Sequence, residues 1–429
     1  MTGSPPGLVS RRTVLRGLAA AGGLAAMPGL AGCGSDAGGS PRVVSLGSNY
    51  SDLVPKKALA QVVKAFEQQS RFNMDVNTIQ HEQYQENITA YLQGGADDVW
   101  AWFAGYRMRF FADLGLAGDL SGLWEKIGSQ YTPAFKAAST GEDGNQYLVP
   151  FYYYPWGVFY RRSLFEEKGY TVPTNLSEFE ALCQEMQSDG LVPLCFADKE
   201  GWPAMGTFDA LNLRSNGHDF HMRLMAGEES WASDEVKSVF DTWRRLMPYH
   251  QSGSLGLDWL DSAAKLVNKE AGMYYLGMFV GQVFTDPDDR ADLDFFTFPE
   301  INPEFGTDTI EAPIDGWMMA AEPENEEGAL AFLEFLGTAP GQQTYLASTS
   351  DYVAASNEVD TSDYTYLQKK AVEVVDQAAH VTQFMDRDTR PDFASTVMIP
   401  SLQQFIRNPD DIDGLCSSIE EQKKRLFEA

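Results

Sequence analysis

Only four cysteines occur in 429 residues, too few for a fold held by disulfides. Positive charge is also scarce: 32 Lys and Arg stand against 61 Asp and Glu, a net charge of −29. A phosphate backbone needs a cationic face, so no nucleic-acid partner is expected, and an anionic membrane surface is disfavoured for the same reason. The chain has five histidines and no internal repeat. No Gly-x-Ser-x-Gly elbow, His-Glu-x-x-His pair or P-loop occurs. His218 and His221 are three apart with no supporting cluster, so a structural or surface role is expected there and no metal or cofactor. Aromatics, by contrast, are plentiful at 9 Trp, 18 Tyr and 26 Phe, and 44% of residues are hydrophobic, which excludes a disordered chain. The length exceeds one ordinary core, so two lobes are expected.

The first 33 residues read as an address. Arg11-Arg12 precedes an apolar run from Leu18 to Leu30, which is short and rich in Gly and Ala for a spanning helix. The arginine pair resembles a twin-arginine export signal. Leu30-Ala31-Gly32-Cys33 resembles a lipobox, implying removal of residues 1–32 and lipidation of Cys33. Residues 33–41 are small and polar, suited to a flexible tether. No later segment is long and apolar enough to span a bilayer. The expected location is the outer face of the cell membrane, with the lipid as the only membrane contact.

Strand candidates at Arg42 to Gly47, Phe72 to Ile79 and Asp98 to Phe103 alternate with helical patterns at Leu59, Val62, Val63, Phe66 and at Glu82 to Leu92. Alternation of this kind predicts an α/β layer with a mostly parallel sheet. A second unit begins near Gly157. It has strands at Gly157 to Tyr160, Leu194 to Ala197 and Met273 to Leu276. Ser177 with Glu180 predicts a capping box opening a helix to about Ser188. Further helices are expected at Asp234–Met247, Ser262–Lys269 and Gly328–Leu336, with a helical C-terminus. The five aspartates between Asp286 and Asp294 lack the glycine of a calcium loop and read as a solvated acidic loop. Cys183 and Cys195 lie in adjacent elements, where a disulfide or two buried thiols are both open.

Four stretches, in order, resemble the extracellular solute-binding proteins of carbohydrate ABC importers, the family that includes maltose-binding protein. They are Asp97 to Trp102 (DDVWAW), Gly157 to Phe165 (GVFYRRSLF), Pro173 to Phe179 (PTNLSEF) and Asn325 to Leu336 (NEEGALAFLEFL) followed by Gly341-Gln342-Gln343. The resemblance implies a two-lobed α/β periplasmic-binding-protein-like fold with a ligand cleft between lobes. Lobe one is expected at about 42–153 plus 312–365, and lobe two at about 154–311 plus 366–429. It also implies a monomer that captures a neutral mono- or oligosaccharide and delivers it to ABC permease subunits.

A sugar offers apolar C–H faces and a rim of hydroxyls, so its binder needs flat aromatics beside planar polar groups in aperiodic loops. Tyr154 and Trp156 fit in the run FYYYPW at the expected passage between lobes. Trp202 fits between Gly201 and Pro203 after a strand, where α/β proteins bind ligands. Asp315 and Trp317 flank Gly316, and Trp102 ends an aromatic strand. Asn49, Glu82, Phe279 and Arg387 complete the expected ligand-binding set, with no catalytic residue. Two alternatives stand beside this one. A lipid-anchored glycoside hydrolase needs only two carboxylates, which 61 acids supply everywhere. A binder of a glycerophosphodiester or a peptide is the other, although a phosphate would be expected to recruit Arg, Lys or a Gly-rich helix start.

Overall fold

The computed structural model describes residues 42–428, so the leader, Cys33 and the tether lie outside the described residues. The strands are β1 (Val43–Ser48), β2 (Asn73–Thr78), β3 (Val99–Phe103), β4 (Val149–Tyr153), β5 (Trp156–Arg161), β6 (Val192–Cys195), β7 (Ala271–Gly277), β8 (Leu293–Phe296), β9 (Thr309–Glu311), β10 (Ile314–Met319), β11 (Val353–Ala354) and β12 (His380–Thr382). Leu59, Val62 and Phe66 recur on one helical face. All three are buried where the helix Leu53–Gln69 carries the chain from β1 back to the parallel strand β2. The helix His81–Gln93 then returns it to β3, parallel to β1 on the other side. Among the described residues no helix is long and apolar enough to cross a membrane.

Two sheets organise the molecule. One has six strands in the order β11-β4-β10-β3-β1-β2, and the other four in the order β6-β7-β5-β8. The six-stranded sheet draws its strands from residues 43–153 and 314–354, the four-stranded sheet from 156–296. The chain therefore passes from the first sheet to the second and back. Tyr154-Pro155 links β4 to β5, and Ala312-Pro313 links β9 to β10. A two-stranded parallel ladder of β9 and β12 lies beside the return passage. Along β10 the register slips between Asp315 and Gly316, so that Asp315 faces Tyr152 while Gly316 faces Pro150. The extra residue is Phe151 on β4, so the bulge bends β4 just before Tyr152 and the passage at Tyr154, while β10 keeps its regular register against β3.

Several local expectations need correction. The helix Leu176–Ser188 is capped by Asn175, whose side chain accepts from Glu178 N at 3.0 Å, not by Ser177 with Glu180. Asn175 holds an extended backbone with its amide oxygen free to reach back, while Ser177 is already inside the helix. The acidic stretch is solvated up to Asp292 but is not a loop. It forms a short helix, Pro287–Asp292, and then β8. Asp289 and Asp292 pair with buried Arg161, the latter at 2.8 Å, and Asp294 meets Lys370 at 2.7 Å, so neutralisation lets these acids fold. No metal-holding group of His, Cys, Asp or Glu occurs among the described residues. His221 is buried against Asn212 at 3.0 Å, and His218 stacks on His380 with ring centres 4.2 Å apart. Cys183, Cys195 and Cys416 are buried free thiols.

The long helix Pro203–Met225 has no counterpart in the sequence reading. Pro203 to Arg214 is buried in nearly unbroken succession, so no apolar stripe distinguishes one face. At Gly217 the backbone turns to φ 77°, which breaks the helical period and which glycine alone adopts without strain.

Candidate ligand-binding cleft

The carboxyl ends of strands from both sheets open on one cavity of about 310 Å³. Asn49 and Tyr50 follow β1, His81 and Glu82 follow β2, and Phe103 ends β3. From the opposite side come Glu200 and Trp202 after β6 and Phe279 after β7. Cavities in open α/β sheets lie in this position because strand ends release loops whose side chains are free to converge.

The floor is a buried ionic knot. Arg387 Nη1 donates to Asp315 Oδ1 at 2.5 Å and Nη2 to the Tyr154 hydroxyl at 2.9 Å. Its guanidinium also lies 3.9 Å from the Phe103 ring centre, close enough for a cation–π contact. Neighbouring Asp386 accepts from Arg107 Nη1 at 2.8 Å. Met385 N donates to Asp209 Oδ2 at 2.6 Å, on the long helix. The short turn Met385–Asp388 thus holds β10 and the helix Tyr106–Asp113 on one side and the helix Pro203–Met225 on the other. Burial raises the Asp315 carboxyl, and the guanidinium opposes that rise.

One wall is aromatic. Trp156 packs at 4.9 Å from Phe384 and meets Trp202 edge-on at 6.1 Å. Phe279 extends the surface to Trp259, with ring centres 5.2 Å apart. Gly206 is what lets the Trp156 indole lie on the long helix, since a Cβ there would fall 2.5 Å from the ring. Polar atoms from both sides punctuate the cavity. Trp156 Nε1, Trp202 Nε1, Glu82 Oε2, Glu200 Oε2 and one amide atom of Asn49 are buried with no hydrogen-bond partner among the described residues. Two indole donors on the aromatic wall and two carboxylate acceptors, one from each side, are the groups that hold a polyol, because each hydroxyl both donates and accepts. Burial raises the carboxyls of Asp52, Glu82 and Glu200, with further help from Asp258 on Asp52 and from Glu200 on Glu82. An acidic mouth of this kind repels anions.

Eight sequence-named residues line the cavity: Asn49, Glu82, Tyr154, Trp156, Trp202, Phe279, Asp315 and Arg387. Trp102 and Trp317 do not. Trp102 alternates with Phe103 along β3, so Phe103 takes the cleft side and Trp102 packs on Trp100 at 5.7 Å and Phe111 at 5.4 Å. Trp317 shares a face with Asp315 but lies two residues deeper, against Tyr50 at 5.3 Å and Phe151 at 6.0 Å. His81, Trp259 and Phe384, which sequence reasoning did not single out, also line the cavity, as do Tyr152 and Asp386 beside the named Tyr154 and Arg387. For His81 the strand-end position was available as a signal. Trp259 and Phe384 are single aromatics in unremarkable contexts.

The model of the family described as bacterial extracellular solute-binding protein matches residues 50–343. An uncharacterized ABC transporter extracellular-binding protein of Pyrococcus horikoshii is 25% identical over 383 residues, covering 85% of this chain and 84% of its own. Among solved structures, the bacterial solute receptor AcbH is 45% identical with a TM-score of 0.88, covering 90% of this chain and 99% of the receptor. That receptor is described by an exclusive preference for β-D-galactopyranose. A chitin oligosaccharide binding protein shares the fold with a TM-score of 0.81 at 18% identity, covering 90% of this chain and 99% of its own. In its two α/β sheets, its crossing strands and its matched sequence, this chain belongs to the bacterial extracellular solute-binding protein family.

Proposed function

We propose that the chain binds one neutral pyranose ring between its lobes and hands it to an ABC permease. The observation that carries this is the convergence of unpartnered indole N–H and carboxylate groups on one cavity with an aromatic wall. A cavity of about 310 Å³ is at the small end for ligand sites, which favours a monosaccharide over a long oligosaccharide. The preference of the 45% identical receptor for a single hexopyranose supports the same size class. Acidic rim groups argue against phosphodiesters. Lobe boundaries near residues 153, 311 and 365, lipidation of Cys33, twin-arginine export and monomeric action belong to this reading. The cleft serves capture, not turnover, so recovered sugar is expected unchanged.

A thermal-shift screen of residues 34–429 against mono-, di- and trisaccharides tests it. Ligand at 100 times its Kd adds about 2.7 kcal/mol of stability, an easily read rise in Tm. A shift with hexopyranoses, and the same sugar recovered intact, is the expected outcome. A silent sugar panel with a shift from phosphodiesters or peptides would overturn the ligand class, and conversion of the sugar would reinstate the hydrolase.

Trp202→Ala should weaken binding of the responding sugar about 10–100-fold by calorimetry. It removes a stacking face and an N–H donor, together about 1.5–3 kcal/mol. Trp202→Phe restores the face alone and should recover part of the loss.

A further inference from the structure

Beside Asn49, at the edge of the cavity, runs a chain of partly buried polar contacts whose roles the ligand-binding reading leaves unassigned. Arg107 Nη1 donates to the Gln85 carboxamide at 2.6 Å. The other end of that carboxamide meets His81 Nε2 at 2.7 Å. His81 Nδ1 in turn meets the Asn49 amide at 3.2 Å. Arg107 is buried and anchored to Asp386 at 2.8 Å, so the first link is fixed.

Donor and acceptor roles follow by elimination. A guanidinium only donates, so the Gln85 atom facing Arg107 is its oxygen. Gln85 therefore turns its NH₂ to His81, and an NH₂ only donates, so Nε2 carries a lone pair. Burial, with Arg387 adding to it, lowers the imidazole to about 4, so at neutral pH the ring is neutral and holds its one proton on Nδ1. An N–H cannot face an NH₂, so the Asn49 side-chain atom 3.2 Å from Nδ1 is the amide oxygen. Oxygen and nitrogen of a carboxamide have the same outline, so hydrogen bonding is what assigns them. As placed, the amide nitrogen faces His81 and the oxygen lies unpartnered at the cavity wall; a proton on Nδ1 reverses that assignment and puts the NH₂ at the wall.

We propose that Arg107, Gln85 and His81 are positioning residues that fix Asn49 as a hydrogen-bond donor toward the ligand, selecting an acceptor atom such as a ring oxygen or a hydroxyl lone pair. This rests on the cleft being the ligand site. Asn49 then complements Glu82 and Glu200, which only accept, so the cleft distinguishes sugars by where an acceptor must stand as well as where donors must.

The test has a readout that needs no ligand. Long-range ¹H–¹⁵N spectra of histidine-labelled protein at pH 7 should show His81 protonated on Nδ1 and bare on Nε2, the less common form of free imidazole. Gln85→Leu removes the director while Arg107 keeps Asp386, and should shift His81 toward the Nε2–H form. Asn49→Asp has the same shape but no donor. It should leave the Nδ1–H form in place and weaken the sugar found by the thermal screen at least about tenfold. A wild-type His81 protonated on Nε2, or an Asn49→Asp variant that binds as tightly as wild type, would overturn the proposal. A silent sugar screen with the Nδ1–H form intact would instead count against the sugar reading alone.

Discussion

Arg387→Met should cost about 3–5 kcal/mol of stability, read as a lower urea midpoint. The guanidinium is almost fully buried and is the partner of Asp315 and Tyr154 at once. Met fills a similar volume, so the loss comes from leaving buried carboxylates uncompensated, not from a cavity. Asp315, already raised by burial, rises further without the cation opposite it. The variant therefore regains more stability than wild type as pH falls and Asp315 takes up a proton. Adding Asp315→Leu should return a large part of the loss, since a buried pair replaced whole is often neutral. Equal costs for the single and double variants would show that Arg387 acts by packing alone. Because the turn Met385–Asp388 ties β10 to the helix Pro203–Met225 at the floor of the cavity, ligand affinity is expected to fall with stability.

Asp388→Asn should gain on wild type by about 2–3 kcal/mol between pH 5 and pH 8, measured as the difference in unfolding free energy at each pH. Burial holds the Asp388 carboxyl up at about 7. The Gln383 N–H at 2.9 Å and the charges of Arg109 and Arg387 oppose this without cancelling it. A carboxyl whose folded value lies above its unfolded one stabilises the fold at low pH. That contribution is lost as pH rises through the folded value. Asparagine keeps an acceptor for Gln383 and never ionises, so its stability should be flatter across this range. Asp209 and Glu311, both raised by burial and by Asp388, are relieved in the same variant. Parallel pH curves for the two proteins would sink the assignment.

Much of the cleft was legible because it departs from periodicity. Tyr154 and Trp156 flank a proline, Trp202 sits between glycine and proline, and Asn49 and Glu82 follow strands. Such positions rarely serve a regular core, so aromatic and planar polar residues there point to a ligand. Trp102 and Trp317 carried the same residue type without that freedom. Their strands fix which side and what depth each reaches, and the register of β3 against β10 pairs Phe103, not Trp102, with Asp315. The helix Pro203–Met225 was invisible for the converse reason. Its first half, Pro203 to Arg214, is buried on all sides, so its composition carries no stripe for a 3.6-residue period to reveal.

The sequence by itself determined the α/β class, the alternation of strands and helices along the first sheet, and the residue types that line the cleft. These are local properties: apolar spacing, glycine and proline positions, and residue type at strand ends. Tertiary structure alone decided which carboxylate meets Arg387, which of two adjacent aromatics faces the cavity, and which end of Asn49 points outward. Each depends on residues 22 to 279 positions apart, from Gln85 and Arg107 to Arg107 and Asp386. No local preference encodes such a pairing. It exists only once folding has removed water from both partners, so that an unmade hydrogen bond or an unpaired charge carries its full cost.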